Sequence, residues 1–230
     1  TIDDGEIEVV SVRGQRRVPR IRRESITELK RQDLPPGGTW VLTGGARGIT
    51  SQIALELGRR FDLKLHLLGR SQLPNVDPAW HDYNDEQLQQ LKVGVVRRAL
   101  EQGSSATRAW EQTRIAIEID HNLRLFRKAG LHVHYHSCDV ADRQALAVTL
   151  EAVRDLDGPI DGIVHGAGII HGARFETKRR EDVDQMFRPK LDGLVNLIDL
   201  TRNDPIAYFI GFASLGSRFG GNGLADYCQA

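Results

Sequence analysis

The sequence predicts an α/β fold, a doubly wound parallel sheet with helices on both faces. Two observations carry this. From Thr39 onward, short apolar runs alternate with longer segments of helical periodicity, the pattern of strands buried on both faces and joined by crossover helices. Glycine-rich or polar clusters follow the apolar runs, at the strand ends where open α/β sheets place their ligands. A length of 230 residues is enough for one sizeable domain, and 40% hydrophobic with 27% charged residues is an ordinary globular composition.

Residues 6–12 alternate well enough to form a strand, and a basic stretch from Arg13 to Arg23 follows. That stretch reads as a solvated linker or surface strand, or as a phosphate-contacting arm; no aromatic residues interleave to stack on bases. Ser25 with Glu28 makes a capping box for a short helix that must stop before Pro35-Pro36-Gly37-Gly38, a hinge. One strand and one helix cannot bury a core, so residues 1–36 are expected to be a remnant of a preceding domain plus its linker, with the main domain at 37–230.

In that domain Trp40-Val41-Leu42 leads into Thr43-Gly44-Gly45-Ala46-Arg47-Gly48-Ile49, which opens a helix with Ile49, Ile53, Ala54 and Leu57 at helical spacing. Strand, glycine turn and helix form a dinucleotide site when glycine lets the backbone approach a pyrophosphate and the helix N-terminus offers free N–H groups. The same glycines would also serve a turn alone. The second strand, residues 63–68, ends in Gly69-Arg70-Ser71. Where NAD-preferring proteins carry an acidic residue for the ribose hydroxyl, Arg70, with Arg47, offers positive charge suited to a 2′-phosphate, so NADPH is expected over NADH.

About sixty residues precede the third strand, residues 131–135, far more than a crossover needs. They predict a helical insertion over residues 72–128. One helix is capped by Asn84 and Gln87, carries Leu88, Leu91, Val95 and Leu100 on its packing side and stops at Gly103; a second carries Ile115, Ile119, Leu123 and Phe126. The third strand ends in Cys138-Asp139-Val140, where Asp139 would accept from an adenine amino group or cap the helical turn near Ala141, ahead of a helix over residues 143–154. The fourth, residues 160–164, ends in His165-Gly166-Ala167-Gly168, small enough for a cofactor to lie on the backbone or for tight sheet packing alone. A helix over residues 181–200 and a fifth strand over 206–212 complete the order.

After that strand come Ser214, a run of glycines and Tyr227. A tyrosine works as an acid–base group near neutral pH when a neighbouring cation stabilises its phenolate; Lys190, behind Pro189, is the candidate. His165 and His171 have no Cys, Asp or Glu partner at ligand spacing, so no metal is expected.

These motifs in this order resemble those of the short-chain dehydrogenase/reductases, and among them the ketoreductase domains of modular polyketide and polyunsaturated-fatty-acid synthases. The likeness covers residues 38–230 through Thr43–Ile49, Leu67–Ser71, Cys138–Asp142, Val164–Gly168, Pro189–Gly193 and the pair Ser214 and Tyr227. The resemblance implies a Rossmann-type fold whose Thr43, Gly44, Gly45, Arg47, Gly48, Ile49, Gly69, Arg70, Ser71, Cys138, Asp139, Val140, His165, Gly166, Ala167 and Gly168 hold NADPH. It further implies that Tyr227 protonates a β-keto oxygen bonded by Ser214, with Lys190 supporting the tyrosinate. The substrate would be a β-ketoacyl group on an acyl carrier protein, beside neighbouring synthase domains, in a monomer or a homodimer. Thr50 stands where the family commonly has glycine, and the sheet is expected to be incomplete on its C-terminal side, since the family's last strands and lid would follow Ala230. A free-standing reductase of a small ketone and a non-catalytic reductase-like domain are the alternative readings.

Lys plus Arg equal Asp plus Glu at 31 each, which argues against nucleic acid or membrane as a partner. Two cysteines make no disulfide framework, and a cytoplasmic location is the default reading.

Overall fold

The computed structural model describes residues 9–20, 22–23, 25, 34–73, 75–170 and 172–229. The chain divides into two compact units, Thr1–Leu34 and Pro35–Ala230.

In the first unit, β1 (Val10–Val12) pairs antiparallel with β2 (Gln15–Arg17). Arg13 and Gly14 between them both have positive φ, 52° and 75°, the two-residue turn whose twist matches a hairpin. The basic stretch is in part the expected surface strand, and the correction is that the first strand is not alone: Arg16 and Arg17 are its partner. The helix expected after Ser25 lies outside the described residues.

The second unit is built on a five-stranded parallel sheet in the order β5-β4-β3-β6-β7. Its strands are β3 (Thr39–Thr43), β4 (Lys64–Gly69), β5 (Val133–Ser137), β6 (Ile160–His165) and β7 (Tyr208–Gly211). The three central strands are apolar runs with Val41, Leu42, Leu65, Leu67, Leu68, Ile163 and Val164 fully buried, which is why they occupy the middle. Helix α1 (Gly48–Phe61) covers one face; a Cβ on its Gly58 would stand 2.8 Å from Leu131 and 3.0 Å from Leu65. The insertion supplies α2 (Asp85–Glu101), with the expected Asn84–Gln87 capping box, and α3 (Ala106–Lys128), which buries Ile119, Leu123 and Phe126. Leu100 is a correction: it is 64% exposed, because α2 packs on α3 with its other side.

On the opposite face, α4 (Arg143–Asp157) places Leu146, Leu150 and Val153 in one cluster with Val41, Leu68, Ile163 and Leu197. The helix expected over 181–200 is interrupted. It consists of α5 (Arg180–Phe187), a π-helical turn at Arg188–Asp192, and α6 (Gly193–Leu200). Edge strand β7 leaves Phe209 and Ile210 partly exposed, and the short α7 (Gly216–Phe219) and α8 (Ala225–Gln229) follow it. Among the described residues no helix is long and apolar enough to cross a membrane.

Candidate active site

The strand order reverses between β3 and β6, and the glycine turn lies over that point, the usual ligand crevice of such a sheet. Gly44 has φ +72°, and a Cβ on it would stand 2.9 Å from the Gly166 carbonyl oxygen. A Cβ on Gly166 would collide with Thr50 Oγ1. Thr50, the departure from the family pattern, is therefore a buried neighbour of the turn rather than an obstruction in it. Gly48 opens α1 as an exposed residue, and Ile49 is 73% exposed rather than in the core.

An anion already sits at the Gly48 N–H. Glu118 of α3 accepts a hydrogen bond from Gly48 N at 2.9 Å and pairs with Arg47 Nε at 3.2 Å. Asn122, one turn further along α3, donates to the Ala46 carbonyl at 2.9 Å. The helix N-terminus and Arg47 thus hold a carboxylate where a phosphate would bind, so these residues fit the phosphates of a dinucleotide. Sequence reasoning missed both side chains, since the insertion's apolar spacing marks only its packing face.

At the end of β4, Arg70 is exposed with no ion-pair partner among the described residues, and the Ser71 carbonyl accepts from the Tyr135 hydroxyl at 2.6 Å. A Cβ on Gly69 would stand 2.9 Å from that hydroxyl, so the glycine admits the tyrosine. At the end of β5, Asp139 Oδ1 accepts the Ala141 N–H while Asp142 accepts from Gln144 and Ala145. Asp139 thus caps the turn at Ala141, as expected, while Asp142 is the N-cap of α4 itself. Cys138 and Val140 are buried in the core cluster with Val41, Leu146 and Leu150, and burial pushes the Cys138 thiol up.

His165 turns out to be a bridge. Its Nε2–H donates to the Lys190 carbonyl at 3.0 Å, so Nδ1 accepts from the Thr43 hydroxyl at 2.8 Å, and Thr43 Oγ1 in turn accepts the Ala167 N–H at 3.1 Å. Burial lowers the His165 pKa, which favours this neutral tautomer. With both ring nitrogens engaged, the imidazole is not offered to a ligand or metal. His171 lies outside the described residues.

The bridge ends on the π-turn that carries Lys190. Such turns re-aim side chains and recur at functional sites. Here the result is that Lys190 Nζ stands 4.5 Å from the centre of the Tyr227 ring. Lys190 also lies along Gly168, whose Cβ would be 3.4 Å from its Cε. Ser214 Oγ accepts the Gly216 N–H at 3.0 Å, leaving its own proton to donate. A Cβ on Gly216 would stand 3.2 Å from both Ser214 Oγ and Cys228 Sγ, which brings Ser214 against the tyrosine's neighbour in the chain. Lys190 and Tyr227 are thus brought together, and Ser214 follows β7 on the segment that leads to α8.

A further pair anchors α8. Lys178 Nζ and Asp226 Oδ1 are 2.7 Å apart with side chains only 8% and 4% exposed. Burial alone would raise the Asp226 pKa, but hydrogen bonds from Lys178 and the Tyr227 N–H hold it below the usual range. Beside this pair lies a polar cleft of about 500 Å³ between residues 173–178 and 221–225.

The KR domain family model matches residues 38–230. The chain belongs to the KR domain family. A ketoreductase domain of this kind is an oxidoreductase of the short-chain dehydrogenase/reductase type that uses a nicotinamide cofactor. Among its relatives are the polyketide synthase PksL of Bacillus subtilis, 34% identical over 47% of this chain, and a polyunsaturated fatty acid synthase component of Thraustochytrium, 29% identical over 83%. The chain spans only 2% and 7% of the lengths of those proteins. Among solved structures, a ketoreductase domain from the bacillaene assembly line superposes over 97% of this chain and 43% of its own with a TM-score of 0.67 at 22% identity. An N-terminal ketoreductase from the macrolactin assembly line covers 93% of this chain and 34% of its own at 0.65 and 20%. The fold of this ketoreductase domain is therefore shared with those solved domains.

Proposed function

We propose that this domain reduces a β-ketoacyl thioester to the β-hydroxyacyl thioester with NADPH, on an acyl carrier protein beside neighbouring domains of a multidomain synthase. The observation that carries the reading is Lys190 Nζ held over Tyr227. Arg47 and the Gly48 N–H would hold the pyrophosphate, Arg70 the 2′-phosphate, and Gly166–Gly168 the flank of the cofactor. The nicotinamide, when bound, supplies hydride to the carbonyl carbon.

The chain's own residues manage the oxygen and its proton. Ser214 donates a hydrogen bond to the substrate oxygen, where negative charge develops. Tyr227 gives that oxygen its proton, and the ammonium of Lys190 stabilises the phenolate left behind. Because the Lys190 carbonyl is bonded to His165, and His165 to Thr43, the lysine is positioned from the same strand end as the cofactor turn.

Fluorescence titration with NADPH and NADH, followed by turnover of a β-ketoacyl thioester, tests this. NADPH should bind the more tightly by at least about tenfold, and Arg70→Ala should erase that margin. Tyr227→Phe should lower kcat by about 10²–10⁴ with cofactor affinity unchanged. A preference for NADH refutes the cofactor assignment, and tight NADPH binding without turnover by the wild-type chain favours a non-catalytic reductase-like domain.

A further inference from the structure

Away from the cofactor, towards the N-terminal ends of the strands, His132, His134 and His136 alternate through the start and body of β5. Period two puts them on one face of the sheet, and the strand register sets His134 beside His66 of β4. Asp157, the last residue of α4, closes over the same face. His132 Nε2 lies 2.9 Å from Asp157 Oδ2; His134 Nε2 lies 3.2 Å from His132 Nε2 and 3.8 Å from the same oxygen. Tetrahedral zinc with bonds near 2.0–2.1 Å places neighbouring ligand atoms about 3.3 Å apart, and the three separations bracket that value.

Hydrogen bonding alone accounts poorly for this trio. His132 Nε2 offers either one proton or one lone pair, yet it faces a carboxylate oxygen and a second ring nitrogen together. A cation would take all three lone pairs at once.

We propose that His132, His134 and Asp157 form a site for a divalent transition-metal ion, zinc by its donor set, with a fourth position open to water. The surroundings suit the role. His66, fully buried, reaches Asp157 Oδ2 through Nε2 at 3.0 Å and His136 Nε2 through Nδ1 at 2.9 Å, a chain that fixes the carboxylate as outer-shell partners of a metal do. Lys64 Nζ lies 3.6 Å from Oδ1, which leaves Oδ2 to the histidines and sets an electrostatic limit on affinity. The ion would tie edge strand β5 to the end of α4 and stabilise the fold by mass action. Sequence reasoning could not assemble this set, because Asp157 joins the histidines only through the crossover helix.

The test is calorimetric titration of the chelator-stripped chain with Zn²⁺, with Co²⁺ as a spectroscopic substitute. One equivalent should bind at micromolar or lower Kd, with the intense visible bands of tetrahedral cobalt and a rise in melting temperature. The double variant His132→Gln/His134→Gln, altered at exposed or half-exposed positions, should keep its circular dichroism spectrum and its NADPH affinity. It should lose zinc affinity by at least about a hundredfold and lose the thermal gain. Lys64→Gln should tighten binding severalfold by removing a like charge. Absence of binding by the wild-type chain, or an equivalent retained by the folded double variant, overturns the proposal.

Discussion

Around the glycine turn, position is set by backbone meeting backbone, while the segment that carries Tyr227 is held by a few polar contacts. A Cβ on Gly44 would collide with the Gly166 carbonyl and one on Gly166 with Thr50 Oγ1, and the strands beneath are almost wholly buried. From Ser214 to Gln229 the helices are four and five residues long, Leu215 and Phe219 are 79% and 62% exposed, and the anchor is the Lys178–Asp226 pair. Cofactor recognition is thus part of the core's shape. The segment proposed to deliver the proton rests on contacts that single substitutions can remove, so under that proposal binding and chemistry should be separable.

The largest separation is expected from Lys178→Met. It leaves Asp226 buried and uncompensated, at a local cost of about 3–5 kcal/mol. Ketone reduction should fall by about a hundredfold or more while NADPH affinity stays within about twofold, and Lys178→Met/Asp226→Leu should restore order to α8. Parallel loss of cofactor affinity would mean that the two regions form one cooperative unit. Next comes Gly166→Ala, whose Cβ would collide with Thr50 Oγ1 and stand 3.1 Å from the Thr43 carbonyl oxygen. Overpacking of about 1–3 kcal/mol should lower the melting temperature, whereas Gly168→Ala, with ordinary contacts from 3.4 Å, should leave it unchanged.

Acid should weaken the packed region first. Burial lowers His66 from 6.5 to about 4 and lowers His136 and His165 as well. As pH falls below about 6.5 the unfolded chain takes up protons that the folded chain resists, so stability present above that pH is progressively lost. Asp226 responds only in stronger acid, since its depressed pKa preserves the anchor until the carboxylate range is passed. The urea midpoint should therefore be lower at about pH 5 than at about pH 7; an unchanged midpoint would show that these histidines are protonated without cost. The smallest effect concerns Glu118. Glu118→Gln keeps a hydrogen-bond acceptor at Gly48 and removes the charge competing with phosphate, so NADPH should bind about two- to fivefold more tightly. Weaker binding would place Glu118 among the cofactor's own contacts.

Much of the fold was legible because buried parallel strands leave apolar runs that few other structures require. The glycine turn, Arg70 and Ser214 stand out in the sequence because residue type at a strand end is conspicuous there, and Tyr227 because it closes the glycine-rich run after Ser214. What stayed hidden depends on tertiary approach. The basic stretch from Arg13 reads as a linker or surface strand, and only the paired positive φ of Arg13 and Gly14 reveals a hairpin turn. Glu118 sits on the polar side of an insertion helix, Lys178 and Asp226 meet across a long separation, and the register of Lys190 depends on a π-turn that has no signature in hydrophobic period.

That π-turn has a consequence for how the domain can change by descent. A π-turn accommodates one residue more than an α-helical path through the same space. Deleting a single codon within Arg188–Asp192 would let α5 and α6 run on as one regular helix, with Met186 on one side and Leu197 on the other still reaching their buried places. The lysine's aim at Tyr227 would be lost, yet the scaffold would stand. If the proposed roles of Lys190 and Tyr227 hold, one small deletion separates a reducing domain from a silent one of the same shape.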